Sequence, residues 1–241
     1  VISVSAEAEA SRATRFHAVI PAAGCGSRMG GSVPKQYLTV AGRTLLEYSA
    51  APLLAHAALD RLVIALAADD EYFAHTTLAE DPRVITVTGG GTRGESVAAG
   101  LAVLDGDDDA LQVLVHDAAR PCLSLRDVER LLAASGREGA LLGVPVRDTL
   151  KRADAAGRVA ATVEREALWQ ALTPQAFPLA GLRAALQVCA QRVTDEAQAM
   201  ELAGHAPRLV EGESTNFKVT RPGDLALAAM ILARREAGDD P

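Results

Sequence analysis

The chain has 241 residues, 49% of them hydrophobic and 23% charged, enough to bury a full core and outside the range of a disordered segment. Lys and Arg number 24 against 31 Asp and Glu, a net charge of −7, and only 3% of residues are aromatic, which removes the basic field and the stacking platforms of a general nucleic-acid binder; no nucleic-acid partner is expected. No apolar run reaches the roughly 18 to 20 residues that cross a bilayer, and the opening VISVSAEAEASRATR lacks the basic start and apolar centre of a signal peptide, so the expectation is a cytoplasmic protein with no membrane partner.

Residues 1 to about 15, rich in Ala, Glu and Ser, read as a frayed terminus, and one domain is expected over 16–241. From Phe16 onward strand-like runs alternate with helical patterns. FHAVIP is followed by a helix from about Thr44 to His56, the strand RLVIALA, a helix near 70–79, the strand VITVT, a helix from about Gly94 to Leu104, and the strand QVLVH. That order implies an α/β fold, a Rossmann-like, mainly parallel sheet with helices on both faces. Ser124 with Asp127 three residues on resembles a capping box and opens a helix to about Ser135, before the strand ALLGVPV. The alternation then breaks. Residues 147–177 carry strand-like pieces about a D-A-A-G turn and read as a projecting β-arm. Helices at about 178–191 and 195–203, a strand RLVEG and a last helix from Pro222 to about Arg235 complete the chain.

The chemistry concentrates at three stations. Directly after the first strand, PAAGCGSRMGG lets backbone N–H groups approach a phosphate or a base edge. Gly24, Gly26 and Gly30 are spaced G-x-G-x-x-x-G, which is neither the dinucleotide fingerprint nor a P-loop. Arg28 inside this loop and Lys35 just beyond it can neutralise a triphosphate from two sides. At the end of the VLVH strand, His116-Asp117-Ala118-Ala119-Arg120-Pro121 falls where ligands bind in an open parallel sheet. Asp117 there can hold Mg²⁺, a cation that needs few protein carboxylates when it bridges phosphates. Arg120 can fork a phosphate or pair with a carboxylate. Before the last helix, Lys218 alternates with Phe217 and Val219 and so points into solvent or into the crevice. The chain has only three Lys, at 35, 151 and 218, against 21 Arg, so the two within these stations suggest a demand for a compact point charge. Cys25, Cys122 and Cys189 are odd in number and widely spaced, and are read as reduced thiols. All five His, His116 included, are read as structural or surface.

PAAGCGSRMG with PKQYL, HDAARP, VPVRDTLKR, LWQALTPQAF, TDEA and NFKVTRPGDL occur in an order and at spacings similar to those of the 2-C-methyl-D-erythritol 4-phosphate cytidylyltransferase family, from about Phe16 to Arg235. The resemblance implies transfer of CMP from CTP to 2-C-methyl-D-erythritol 4-phosphate, with pyrophosphate released, in non-mevalonate isoprenoid biosynthesis. It assigns Arg28, Lys35, Arg165 and Lys218 to catalysis, and Ala22, Ala23, Gly24, Gly26, Gly90, Ser96 and Ala118, with Arg28, Lys35 and Lys218, to the nucleotide. Asp117, Arg120, Thr149, Arg165 and Thr173 fall to the acceptor, and Asp117 also to Mg²⁺. It further implies a homodimer in which the β-arm carries Thr149 and Arg165 to the partner subunit. Gly91 stands where some relatives carry an acidic residue beside the base. A ribitol-5-phosphate cytidylyltransferase or another nucleotidyltransferase shares the loop, and a non-catalytic nucleotide sensor would keep the loop while losing the metal carboxylate.

Overall fold

A computed structural model describes residues 15–24, 33–106 and 110–238. The chain opens with β1 (Phe16–Pro21), then forms a short hairpin, β2 (Thr39–Val40) and β3 (Arg43–Thr44), and helix α1 (Leu45–Ala55). Next come β4 (Leu59–Leu66), β5 (Val84–Thr88), α2 (Arg93–Ala102), β6 (Gln112–Val115), α3 (Leu125–Ala134) and β7 (Ala140–Pro145). The arm strands β8 (Leu150–Ala153) and β9 (Val159–Val163) precede β10 (Trp169–Pro178), and α4 (Leu179–Cys189), α5 (Glu196–Leu202), β11 (Arg208–Glu211) and α6 (Pro222–Glu236) finish the fold.

The central sheet has seven strands in the order β11-β7-β10-β6-β1-β4-β5. Within it β10 runs antiparallel to both neighbours and the other pairings are parallel. Both faces are covered, so the strands read as continuous apolar runs and split their residues by parity. Phe16, Ala18, Ile20, Leu62, Ile64 and Leu114 face one core, which packs against α1 and α3. Val19, Val63, Val113 and Val115 face the other, beneath α2, α4 and α5. A third cluster, with Leu45, Tyr48, Val219 and Leu232, seats α6 against α1 and the strap that precedes α6.

Three expectations need correction. The helix expected near 70–79 is instead a pair of 3₁₀ turns, Phe73–His75 and Thr77–Glu80. Asp70 Oδ1 caps the N–H groups of Tyr72 and Phe73, His75 and Thr76 then donate three residues back to Tyr72 O (3.0 Å) and Phe73 O (2.9 Å), and Glu47 Oε1 takes the Thr77 N–H (3.0 Å) and hydroxyl (2.8 Å), so the segment closes as tight turns rather than as one continuous helix. The arm is also shorter than 147–177. Only β8 and β9 project, pairing with each other about a turn in which Asp154 Oδ1 accepts from the N–H groups of Ala156 and Arg158. Residues 169–177 belong to β10, because Leu172, Ala176 and Phe177 bury completely or nearly so between the sheet and its helices. At Ser124 the hydroxyl caps the Asp127 N–H as expected, but Asp127 does not close the box; its carboxylate accepts from the Glu213 N–H instead.

Candidate active site

The parallel strands β1, β4, β5 and β6 end on one side of the sheet, and the loops leaving β1, β5 and β6, with Lys218, enclose a cavity of about 250 Å³. On one side, Ala22 donates its N–H to Ala65 O at 2.7 Å and accepts the Gln36 amide at 2.7 Å. That buried glutamine therefore fixes the 3₁₀ turn Lys35–Tyr37 against the start of the glycine-rich loop, and Lys35 at the head of the turn lines the cavity. On the other side, Gly89–Gly91 lead into α2, capped by Thr92 and Glu95 acting reciprocally. The Ser96 hydroxyl accepts the Gly90 N–H at 3.1 Å and lies within 2.9 Å of Thr92 O, stapling this glycine turn to the helix. A Cβ at Gly89 would lie 2.6 Å from Ala23 Cβ and 2.8 Å from Ser96 Oγ, so the two loops approach too closely for a side chain there.

Asp117 closes the floor. It leaves β6 at the sheet edge and is 6% exposed. Its Oδ1 accepts from Arg93 Nε at 3.0 Å, and its Oδ2 from Arg120 Nε at 3.2 Å and Lys218 Nζ at 3.0 Å. Burial by itself raises this carboxyl, but Arg93, Lys218 and Arg120 outweigh it and hold Asp117 well below the usual carboxylate range. Beside it, His116 is fully buried and pushed down to about 4. Its neutral ring has one proton, and the Arg120 carbonyl 3.2 Å from Nε2 can only accept, so that proton sits on Nε2. Nδ1 then accepts the Thr173 hydroxyl at 3.0 Å, while Thr173 Oγ1 accepts the Asp117 N–H at 3.0 Å. Antiparallel pairing of Gln175 with Val115 brings Thr173 level with Asp117.

Lys218 reaches this floor from a strap over residues 212–219 that is tied down along its length. Gly212 N–H donates to Gly143 O at 2.9 Å and Glu213 N–H to Asp127 Oδ2 at 3.0 Å. Glu213 accepts from Ser124 Oγ and Arg235 Nη2, each at 2.8 Å. The fully buried Asn216 donates its side-chain amide to Thr173 O at 2.8 Å and accepts Arg120 Nη1 at 2.8 Å on its main-chain carbonyl. Val219 N–H reaches Ala119 O at 2.8 Å.

The family model of IspD, 2-C-methyl-D-erythritol 4-phosphate cytidylyltransferase, matches residues 16–234. The chain belongs to that family. A relative of that name from Aeromonas hydrophila is 51% identical over 224 residues, covering 91% of this chain and 90% of its own. Another from Pseudomonas putida is 53% identical over 217 residues, covering 87% and 92%. Among solved structures, a 4-diphosphocytidyl-2C-methyl-D-erythritol synthase superposes with a TM-score of 0.79 at 37% identity, covering 91% of this chain and 99% of that one. The Thermus thermophilus cytidylyltransferase gives 0.73 at 36%, covering 91% and 99%.

Of the cytidylyltransferase residues expected from sequence, Ala22, Ala23, Gly24, Lys35, Gly90, Ser96, Asp117, Ala118 and Lys218 all line the one cavity. Gly26 and Arg28 lie outside the described residues. Arg120 and Thr173 are adjacent but turned inward, with the Arg120 guanidinium engaged by Asp117 and Asn216 and the Thr173 hydroxyl by His116 and Asp117. They hold the floor rather than line the cavity. Thr149 and Arg165 are exposed on the arm and do not line it; Arg165 Nη1 donates to the Arg147 carbonyl at the arm's base. Sequence reasoning passed over Arg93, and over Glu196, whose T-D-E-A motif it used only for recognition.

Among the described residues no cluster of three or more His, Cys, Asp or Glu is placed to hold a metal. A carboxylate offers about four lone-pair positions, and Arg93, Arg120 and Lys218 occupy three of those on Asp117. The one remaining position, on Oδ1, leaves Asp117 room for a single further contact, so the described residues would offer a magnesium ion at most one carboxylate oxygen.

Proposed function

We propose that this chain transfers CMP from CTP to 2-C-methyl-D-erythritol 4-phosphate, releasing pyrophosphate and forming 4-diphosphocytidyl-2-C-methyl-D-erythritol. The observation that carries the reading is charge. In a molecule of net charge −7, Lys35, Arg93 and Lys218 line one cavity with Arg120 beneath its floor, and the carboxylates ion-paired with Arg93, Arg120 and Lys218 are Asp117 and Glu196. A site with a surplus of cations fits two anionic substrates brought together.

The nucleotide's base and ribose lie against the small residues Ala22, Ala23, Gly24 and Gly90 with Ser96, where backbone polar groups can pair with base edges. Its triphosphate runs toward Lys35, and the family resemblance assigns Arg28 to it as well. The acceptor sits over Asp117, whose one remaining oxygen position can accept a hydrogen bond from an acceptor hydroxyl, with its phosphate near Lys218. That phosphate has a second pKa near 6 and is already largely dianionic at neutral pH, so no residue has to remove a proton to make it nucleophilic. Lys35, Arg28 and Lys218 hold the two anions in line and neutralise charge as it moves onto the departing pyrophosphate. Magnesium, when bound, adds charge neutralisation on the triphosphate oxygens.

The protein is proposed to work as a homodimer in which the arm brings Thr149 and Arg165 to the acceptor phosphate of its partner's site. The exposed hairpin, which has almost no core of its own, supports this. A cytoplasmic setting is proposed too; it accords with the buried free thiols of Cys122 and Cys189. No described helix is long and apolar enough to cross a membrane.

The deciding assay is pyrophosphate release with CTP, Mg²⁺ and methylerythritol phosphate, repeated with ribitol 5-phosphate and with ATP, GTP and UTP. Turnover is expected with the first set. A higher kcat/KM with ribitol 5-phosphate, or no release with any acceptor, overturns the reading.

A further inference from the structure

Glu196 is 1% exposed and opens α5, immediately behind the cavity floor. Arg93 takes both its oxygens in a fork, Nη1 to Oε1 at 2.6 Å and Nη2 to Oε2 at 3.0 Å. The remaining edge of the same planar guanidinium sends Nε to Asp117 Oδ1 at 3.0 Å. With the fork gripped at one end, the direction of Nε is set, and with it the rotation of the Asp117 carboxylate. Glu196 is itself fixed from β10. Gln175 accepts the Ala197 N–H at 2.8 Å and donates to Asp195 Oδ2 at 2.9 Å, which ties the T-D-E-A and L-T-P-Q stretches together.

Stability gives a weak reason for such an arrangement. A buried carboxylate loses its hydration, and well-packed apolar residues in place of a buried ion pair are often neutral or stabilising. Burial indeed raises the Glu196 carboxyl in spite of Arg93. The pair does, however, cancel its own charge, so Arg93 can touch Asp117 without adding a cation that competes for phosphate.

We infer that Glu196 and Arg93 are positioning residues, a relay that orients the Asp117 carboxylate toward the acceptor while keeping Arg93 neutralised. The inference rests on the proposed function for the identity of the acceptor. Glu196→Gln and Arg93→Gln are each expected to lower kcat/KM for methylerythritol phosphate by about 10²-fold, the scale of a reacting group misplaced by about 1 Å, with the KM for CTP nearly unchanged. Adding Glu196→Gln to Arg93→Gln or to Asp117→Asn should bring no further loss, because the effects run through one chain. Additive losses overturn the relay, and so does a loss in CTP binding equal to that in acceptor use. The double variant Arg93→Met with Glu196→Met guards against misfolding by keeping the volume and removing both charges; if it melts like the parent and retains parental kcat/KM, the relay is wrong. Parental turnover measured in parallel tests the function separately, since a silent parent sinks the reaction assigned and not the geometry of the relay.

Discussion

The cavity floor and the β-arm are both departures from the regular sheet, and they are built in opposite ways. At the floor every charged group has a partner a few ångströms away, drawn from α2, α5, the β6 exit and the strap before α6. In the arm most residues of β8 and β9 are exposed, Val159 is 67% exposed, and Lys151 Nζ donates to the Thr162 hydroxyl across the hairpin at 2.7 Å. A two-stranded ribbon in water is marginal by itself. The floor is thus preorganised within one chain, whereas the arm carries functional candidates on a scaffold that a single chain does little to hold. In the proposed dimer that asymmetry has a use: the preorganised part binds and activates, and the exposed part is free to reach across.

Lys35→Ala should bring the largest change. It removes a preorganised phosphate contact and is expected to lower kcat by about 10² to 10³-fold with little change in thermal stability, checked by pyrophosphate release beside a melting curve. Unaltered turnover would break the assignment of this cavity as the reacting centre. Next, acidification should expose the floor's dependence on buried neutral His116. Its pKa falls from 6.5 to about 4 on folding, so unfolded chains take up its proton first. Stability is then complete above about pH 6.5 and falls toward pH 4, by on the order of 3 kcal/mol over the window. Glu196, raised by burial, acts in the opposite sense above its ordinary value, and Asp117, held low, contributes losses only at still lower pH. Comparing denaturant unfolding of the parent and His116→Gln at pH 7.5 and 4.5 isolates the histidine; equal pH slopes in the two would refute its role.

The arm is tested by mixing. Arg165→Ala chains combined with Lys35→Ala chains as verified heterodimers should regain one working site of the two, while each homodimer stays impaired; heterodimers as inactive as either parent would argue that the arm serves its own chain. The smallest effect is expected at Lys151→Ala on the arm, within about 0.5 kcal/mol in stability and near-parental in kcat. A large loss there would make the arm as tightly built as the floor and erase the contrast.

Much of this was legible in advance because it is local. Apolar runs both predicted the parallel strands and sit in the observed cores, whereas the reciprocal caps Thr44/Glu47 and Thr92/Glu95 were equally local but not read. The β-arm's turn was readable from Asp154 and Gly157, the latter at φ +76°. The misplaced boundary at residues 169–177 came from treating a segment as one piece when only its first half lacks apolar residues. Nor does any local pattern distinguish the carboxylate of Glu196, which is buried, from that of Glu201, which is exposed.

The sequence alone determined the order of the parallel strands and most of the helices, the glycine-rich exit of β1, the retained lysines and the family, since each depends on neighbours a few residues apart or on motifs in line. Tertiary structure decided which charges meet. Arg93 and Glu196 are 103 residues apart in the chain, and Thr173 and His116 57 apart. Such pairs are selected by sheet register and by the desolvation that makes a buried charge seek a partner, and both exist only once the sheet has closed around them.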